Sequence, residues 1–396
     1  MTGYKFSNKK VKENNLRLVL MKILQNSPIS RIEISKKTGL TRSTVSELVK
    51  RLMEEGLIKE SYKNIDKVGP GKKPILLIPE TEKFFVIGYD LTVIHSEIVV
   101  MNLNGDVITK RPFISLKKLI SLKNITEILN LFIKSLEEIK HDLNISNQSI
   151  KGIGVAFPGL VSRNNNSLSI TPNLERYFDF SLIDKFSEKL GIPIVVDNNA
   201  NMKALGELIY GIGKEVHDFL LVNISYGIGA GLVIQNQLFR GKYNLSGEIG
   251  HIKVAEDSDI CSCGEKGCLE TFSSVRSMVK KYYTKCNKKL DENYDMGKII
   301  NYANQGDQNA IQIFQESGFY LGKAIGNVLN IINVESVVLT GEIKKYWDII
   351  EKDFYKGLNE TTLPLIEKNT QIKLSELGEE ITAIGAASMV LEDMLI

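Results

Sequence analysis

Between Gly247 and Glu270 the chain reads GEIGHIKVAEDSDICSCGEKGCLE, a stretch that holds three of its four cysteines and one of its four histidines. Nine residues separate His251 from Cys261, and Cys261, Cys263 and Cys268 fall within eight positions. Core cysteines do not cluster in this way; the density is that of metal ligands. Three thiolates and one imidazole close a tetrahedral shell around zinc with no open position, which predicts a structural ion rather than a catalytic one. Gly264 and Gly267 allow the tight backbone that lets Cys263 and Cys268 face one ion. A disulfide with spare thiols is the competing reading, and nothing else in the chain looks secreted. Closing the shell also fixes two carboxylates. Glu248 lies three residues before His251 and Glu270 two after Cys268, and rigidly held carboxylates are good acceptors for sugar hydroxyls.

At 396 residues the chain is too long for one small domain, and its net charge of +3 is unevenly spread. Residues 1–80 carry 17 Lys and Arg against 8 Asp and Glu, whereas residues 81–396 carry 33 against 39. A basic head on a mildly acidic body makes the head the candidate for binding a polyanion. Its first residues, MTGYKFSNKKVKENN, have no apolar core of signal-peptide type and no run approaches the roughly 18 apolar residues of a membrane span, so a cytoplasmic location is expected.

The head has a legible order. Leu16, Val19, Leu20, Ile23 and Leu24 recur at helical spacing up to Pro28. Ser30 with Glu33 forms a capping box for a short helix, and Gly39 supplies the turn after it. Thr41 then caps a helix that buries Val45, Leu48, Val49 and Leu52 and presents Arg42, Ser43, Thr44, Ser46 and Lys50 on its other face. This is a helix-turn-helix, whose second helix enters the major groove. Short apolar strands at Leu57-Ile58 and Ile75 to Ile78 flank VGPGKKP, so Lys72 and Lys73 sit at the tip of a wing that can reach phosphates. The expected DNA-binding residues are Arg42, Ser43, Thr44, Ser46, Lys50, Lys72 and Lys73. A small helical interaction domain with a solvated charged face is the alternative.

Beyond Pro79-Glu80-Thr81, strands are predicted at Phe84 to Asp90, Ser96 to Leu103, Ile150 to Phe157, Ile192 to Val196 and Phe219 to Ile224. They alternate with helices from about Leu116 to His141, Ala310 to Ile332 and Ile381 to Leu395, which argues for an α/β body. Gly250-His251, nine residues and then CSCGEKGCLE resemble the signature of the ROK family, which contains sugar kinases and sugar-responsive transcriptional repressors. The resemblance implies a winged helix-turn-helix over residues 1–80 and a two-lobed actin-like (RNase H-like, ATPase-type) domain with a structural zinc site over 81–396. Lobe one would take about 81–200 and the C-terminal helix, and lobe two about 201–380. The wing of such repressors commonly carries Gly-Arg-x-Pro, where this chain has lysines. The resemblance also assigns sugar contacts to Glu248, His251 and Glu270, and to Asn173, Asn198 and Asn199.

The nucleotide end departs from the family's kinases. Their first phosphate loop is similar to Asp90-Leu91-Thr92-Val93-Ile94-His95, which lacks both glycines and the lysine. Their Glu-Asn-Asp-Ala-Asn resembles Asp197-Asn198-Asn199-Ala200-Asn201, so Asn199 stands where the resemblance implies the catalytic aspartate. A neutral amide cannot take the sugar's proton. Glu342 in Thr340-Gly341-Glu342 replaces a glycine. The Gly-rich Ser225 to Gly231 is kept. The expectation is a repressor without enzymatic activity, binding double-stranded operator DNA and an aldose, xylose or glucose by resemblance, as a homodimer or higher homo-oligomer. A working ATP-dependent sugar kinase with a DNA-binding head, and a zinc-stabilised adaptor that binds another protein, are the alternatives.

Overall fold

The structure is a computed structural model that describes residues 8–61, 75–92, 96–114, 125–162, 167–169, 180–290 and 295–393. The wing tip with Lys72 and Lys73, Asn173 and the segment Val93 to His95 lie outside the described residues.

In the head, α1 (Asn8–Asn26) buries Leu16, Val19, Leu20 and Ile23. It begins eight residues ahead of that apolar stripe, and Lys12 in this first part pairs with Glu47 of α3 (Arg42–Glu54) at 3.1 Å. Strand β1 (Ile29–Ser30) leads into α2 (Arg31–Thr38). There the Ser30 backbone N–H donates to Glu33 Oε2 at 2.9 Å while the Glu33 N–H donates back to Ser30 Oγ at 3.3 Å, the reciprocal box read from the sequence. Gly39 takes φ 70°, and Thr41 Oγ1 accepts the Thr44 N–H at 3.2 Å to start α3 (Arg42–Glu54). Strands β2 (Ile58–Ser61) and β3 (Leu76–Pro79) pair antiparallel as the wing, and β1 adds to β3 to make a three-stranded sheet.

The body repeats one topology. Strands β4 (Phe85–Asp90), β5 (Glu97–Asn102) and β6 (Val107–Pro112) form an antiparallel meander, followed by α4 (Ile125–Leu143) and β7 (Ile150–Phe157). A ribbon of β8 (Leu160–Ser162) and β9 (Ser167–Ser169) precedes α5 (Phe180–Leu190), β10 (Ile194–Asn198) and α6 (Asn199–Tyr210). The second meander is β11 (Phe219–Ile224), β12 (Ile228–Ile234) and β13 (Gln237–Phe239). After it come α7 (Glu270–Ser273), α8 (Val275–Lys285), α9 (Met296–Asn304), α10 (Gln308–Ile332) and β14 (Ser336–Gly341). The chain ends with α11 (Trp347–Thr361), α12 (Pro364–Asn369), β15 (Gln371–Leu374) and α13 (Ile381–Asp393). The two five-stranded sheets run β10-β7-β4-β5-β6 and β13-β12-β11-β14-β15. In each, the first strand of a meander pairs in parallel with a later strand, which pairs in parallel with a fifth. This is the duplicated actin-like α/β fold.

Helix α13 returns from the chain's end to lie between the first sheet and α6, and it does so at backbone contact. A Cβ on Gly154 of β7 would overlap the Ala386 carbonyl, and one on Gly385 of α13 would overlap the Met202 carbonyl of α6. The same hydrophobic cluster takes in Met202, Leu205 and Leu208 of α6, Met389 and Val390 of α13, and Leu16, Val19 and Ile23 of α1. Head and body are therefore joined through one core. Replacing Gly385 by valine should lower the melting temperature, with a loss of stability of about 1–3 kcal/mol; a thermal melt matching the parent's would show that α13 does not pack at that distance.

Candidate metal and ligand site

After β13 the chain passes through a single 3-10 turn at Ile249–His251 and then folds back on itself. Lys253 bridges Cys268, the Val254 N–H donates to the Gly267 carbonyl at 2.8 Å, and the Cys261 N–H donates to the Glu265 carbonyl at 2.8 Å. Gly267 has φ 81°, and a Cβ there would overlap the Ala255 carbonyl, so only glycine serves at this fold-back. Donor atoms of His251, Cys261, Cys263 and Cys268 consequently lie within 4.8 Å of one another. Cys263 Sγ is 3.7 Å from Cys268 Sγ, and Cys261 Sγ is 3.5 Å from His251 Nδ1. A tetrahedral zinc with bonds of about 2.3 Å to sulfur sets thiolates about 3.8 Å apart and sulfur to imidazole nitrogen slightly closer. The donor set fits. Burial and the neighbouring thiols push Cys268 up to about 12, a cost that a bound cation reverses by holding the thiolate.

With Nδ1 turned to the sulfurs, His251 directs Nε2 towards Glu248, whose Oε2 is 4.0 Å away. Burial raises the pKa of Glu248; His251 opposes that shift and Glu270 adds to it, so the two carboxylates sense one another. Glu270 opens α7, and its Oε1 accepts the Ile228 N–H at 3.2 Å while Ser262 Oγ lies 3.4 Å from its Oε2. The Gly-rich turn between β11 and β12 is what admits this carboxylate: a Cβ on Gly227 would overlap Glu270 Oε1. Glu248, His251 and Glu270 are thus brought together around the metal shell.

Asn198 and Asn199 stand at the start of α6, whose first turn meets the beginning of β12, where a Cβ on Gly229 would lie 3.2 Å from the Ala200 methyl. Asn198 Oδ1 accepts the Ala200 N–H at 2.7 Å as the helix cap, and its Nδ2 donates to the Gly159 carbonyl at 2.7 Å. Both groups therefore tie the start of α6 to the turn between β7 and β8. Asn199 is half-exposed.

Farther along α6, Lys203 is buried and donates to Asn223 Oδ1 at 2.8 Å. Burial lowers its pKa, against the pull of Asp90, Glu379 and Glu342. Burial raises Asp90 to about 7, with Lys203 acting the other way. Glu342 is buried and pairs with Lys345 at 2.7 Å. This buried region carries its own cation and its own carboxylates. Reading by motif overlooked Lys203, although a lysine between Met202 and Ala204-Leu205 in an apolar helix was the available signal.

On the head, Arg42, Ser43, Ser46 and Lys50 are exposed along one side of α3, opposite the buried Val45, Leu48, Val49 and Leu52. Thr44 is half-buried, and its hydroxyl lies 2.9 Å from Thr41 Oγ1 in the cap. No helix among the described residues is long and apolar enough to cross a membrane.

Fold and site together define a two-lobed ROK domain behind a winged helix. The ROK family model matches residues 86–393 and a winged helix-turn-helix DNA-binding model matches residues 16–59; the chain belongs to the ROK family. It is 31% identical over 387 residues to the xylose repressor of Bacillus subtilis (strain 168), covering 97% of both chains. It is 28% identical to the N-acetylglucosamine repressor of Escherichia coli O157:H7, covering 97% of this chain and 94% of that one. Among solved structures, a ROK family transcriptional regulator described as a homolog of the Escherichia coli MLC protein superposes with a TM-score of 0.79 at 24% identity, over 97% of this chain and 96% of that one.

Metal analysis of the purified chain should find a single bound ion that Cys268→Ser loses and Cys286→Ser keeps, and that is released as falling pH protonates the thiolates and the imidazole. Retention of the ion by Cys268→Ser would contradict the four-ligand shell.

Proposed function

We propose that this chain is a sugar-responsive transcriptional repressor, with residues 1–80 as its DNA-binding head and 81–396 as its sensor. Zinc holds His251, Cys261, Cys263 and Cys268 together, and through them places Glu248 and Glu270 for the sugar hydroxyls. Asn173, Asn198 and Asn199 complete the ligand's surroundings. Arg42, Ser43, Thr44, Ser46 and Lys50 face the major groove, and Lys72 and Lys73 hold phosphates from the wing. Two heads on a palindromic operator call for a homodimer, and the protein works in the cytoplasm.

The observation that carries this reading is the union, in one chain, of the exposed α3 face with the ordered pair Glu248 and Glu270. End-to-end similarity to a protein named xylose repressor supports it, and makes xylose the first aldose to try, with glucose next. The opposite end of the cleft supports a protein without phosphoryl transfer. Asn199 offers no base, and a nucleotide phosphate near Lys203 would meet Asp90, Glu342 and Glu379 on the same cation.

Gel-shift with xylose, glucose and N-acetylglucosamine should show DNA affinity that one of them changes. Lys73→Ala should weaken all duplexes alike and reduce the salt slope by about 0.9. Cys263→Ser should lose sugar binding along with zinc. Phosphorylation of any of these sugars from ATP at about 1–100 s⁻¹ would make the protein a kinase instead.

A further inference from the structure

The cleft wall and the DNA-binding head are connected by charge as well as by apolar packing. Asp197, the residue before Asn198, has no solvent exposure. Its Oδ1 accepts from the Asn198 N–H at 2.7 Å, from Asn201 Nδ2 at 3.0 Å and from Asn244 Nδ2 at 3.1 Å, while Arg240 Nε donates to Oδ2 at 2.7 Å. Arg240 and Asn244 belong to the loop that runs from β13 to Glu248, so both walls of the proposed sugar site converge on one carboxylate. Arg240 reaches in the other direction as well. Its Nη2 lies 3.6 Å from Oε2 of Glu392, a buried residue at the end of α13. The same Oε2 pairs with Nη2 of Arg17, which belongs to α1 of the head. Beside this chain, Gln25 Nε2 of α1 donates to the Leu208 carbonyl at 2.9 Å, at the far end of the helix that Asn199 begins. That helix has 12 residues, about 18 Å of rigid rod from cleft to head.

We infer that Glu392 is a positioning residue for the allosteric response, holding α1 of the head in register with Arg240 and Asp197 at the sugar cleft. The inference rests on the sugar-responsive reading and adds its route. Physically, the four groups Arg17, Glu392, Arg240 and Asp197 balance in charge and are largely out of water, so displacing one leaves a buried charge without its partner. Movement of the Asp197 to Asn199 wall, or of the loop leading to Glu248, is therefore passed on through Arg240 and Glu392 to α1 rather than absorbed locally. Coupling then requires that this joint have two arrangements that sugar and DNA bias differently.

The test uses the full chain, a duplex selected from a random pool by the parent protein, and the aldose that shifts the parent's DNA affinity most. DNA affinity is measured with and without sugar, and sugar affinity separately, for the parent, Glu392→Gln, Arg17→Gln, Arg17→Lys and the Arg17→Gln/Glu392→Gln double variant. We expect each Gln variant to bind sugar within about twofold of the parent and sugar-free DNA within about threefold, while its response to sugar falls at least fivefold. Arg17→Lys should restore most of the response, and the double variant should respond like either single one, because both changes cut the same link. Should Glu392→Gln fail to fold, the Arg17 pair decides alone, since Arg17 is partly exposed on the head. A parent-sized response in Arg17→Gln, or additive losses in the double variant, would overturn the inference while leaving the repressor reading intact. A parent that binds sugar and DNA without either affecting the other would overturn both.

Discussion

The close approach of α13 to the first sheet and to α6 is the constraint on which the rest of the molecule depends. Gly154 and Gly385 remove the side chains that would keep these backbones apart, and the last helix of the chain thereby becomes a central one. Because α13 lies there, its C-terminal end with Glu392 comes up beneath α1, and the head packs on the body through a shared hydrophobic core instead of hanging from a linker. Interfaces between domains of one chain are ordinarily polar and mobile. Here the joint combines apolar packing with a buried ion network, and packed interfaces shift between discrete arrangements rather than deforming continuously.

The second organising interaction is the shell of sulfur and nitrogen around the metal position. A loop with so many exposed backbone groups has little apolar area with which to hold itself, and metal binding provides folding free energy of its own. The shell is bracketed by Glu248 and Glu270, and Glu270 lies against the Gly-rich turn. Glu270 is tied to the Ile228 N–H, so the loop, the turn and the first residues of α6 form one continuous wall. Farther along α6 the buried Lys203 donates to Asn223 and lies in the field of Asp90, Glu379 and Glu342.

Much of this was legible in the sequence because it is written in local patterns. The capping box at Ser30 and Glu33, the Thr41 cap, the apolar face of α3 and the spacing of His251, Cys261, Cys263 and Cys268 are short-range signals, and each appears where the residues place it. The duplicated topology was faint, since only the pairing of strands far apart in the chain reveals it. The network of Arg17, Asp197, Arg240 and Glu392 was not legible at all. Its members are separated by dozens of residues to hundreds, only Asp197 lies in a stretch that carries the family resemblance, and a glutamate near the end of a helix reads as a solvated residue until tertiary packing buries it. Asn198, a residue type common at helix starts, is the cap of α6.

On the proposed function, occupancy of the sugar site and attachment to DNA are two readings of one conformational equilibrium. Linkage requires the effect to run both ways by the same factor. The most direct measurement is a calorimetric titration of the effective aldose into the intact protein, once alone and once saturated with its operator duplex. The account predicts two different dissociation constants, separated by about 5–150-fold and by the same factor with which the sugar alters DNA affinity. Identical constants in the two titrations would contradict it.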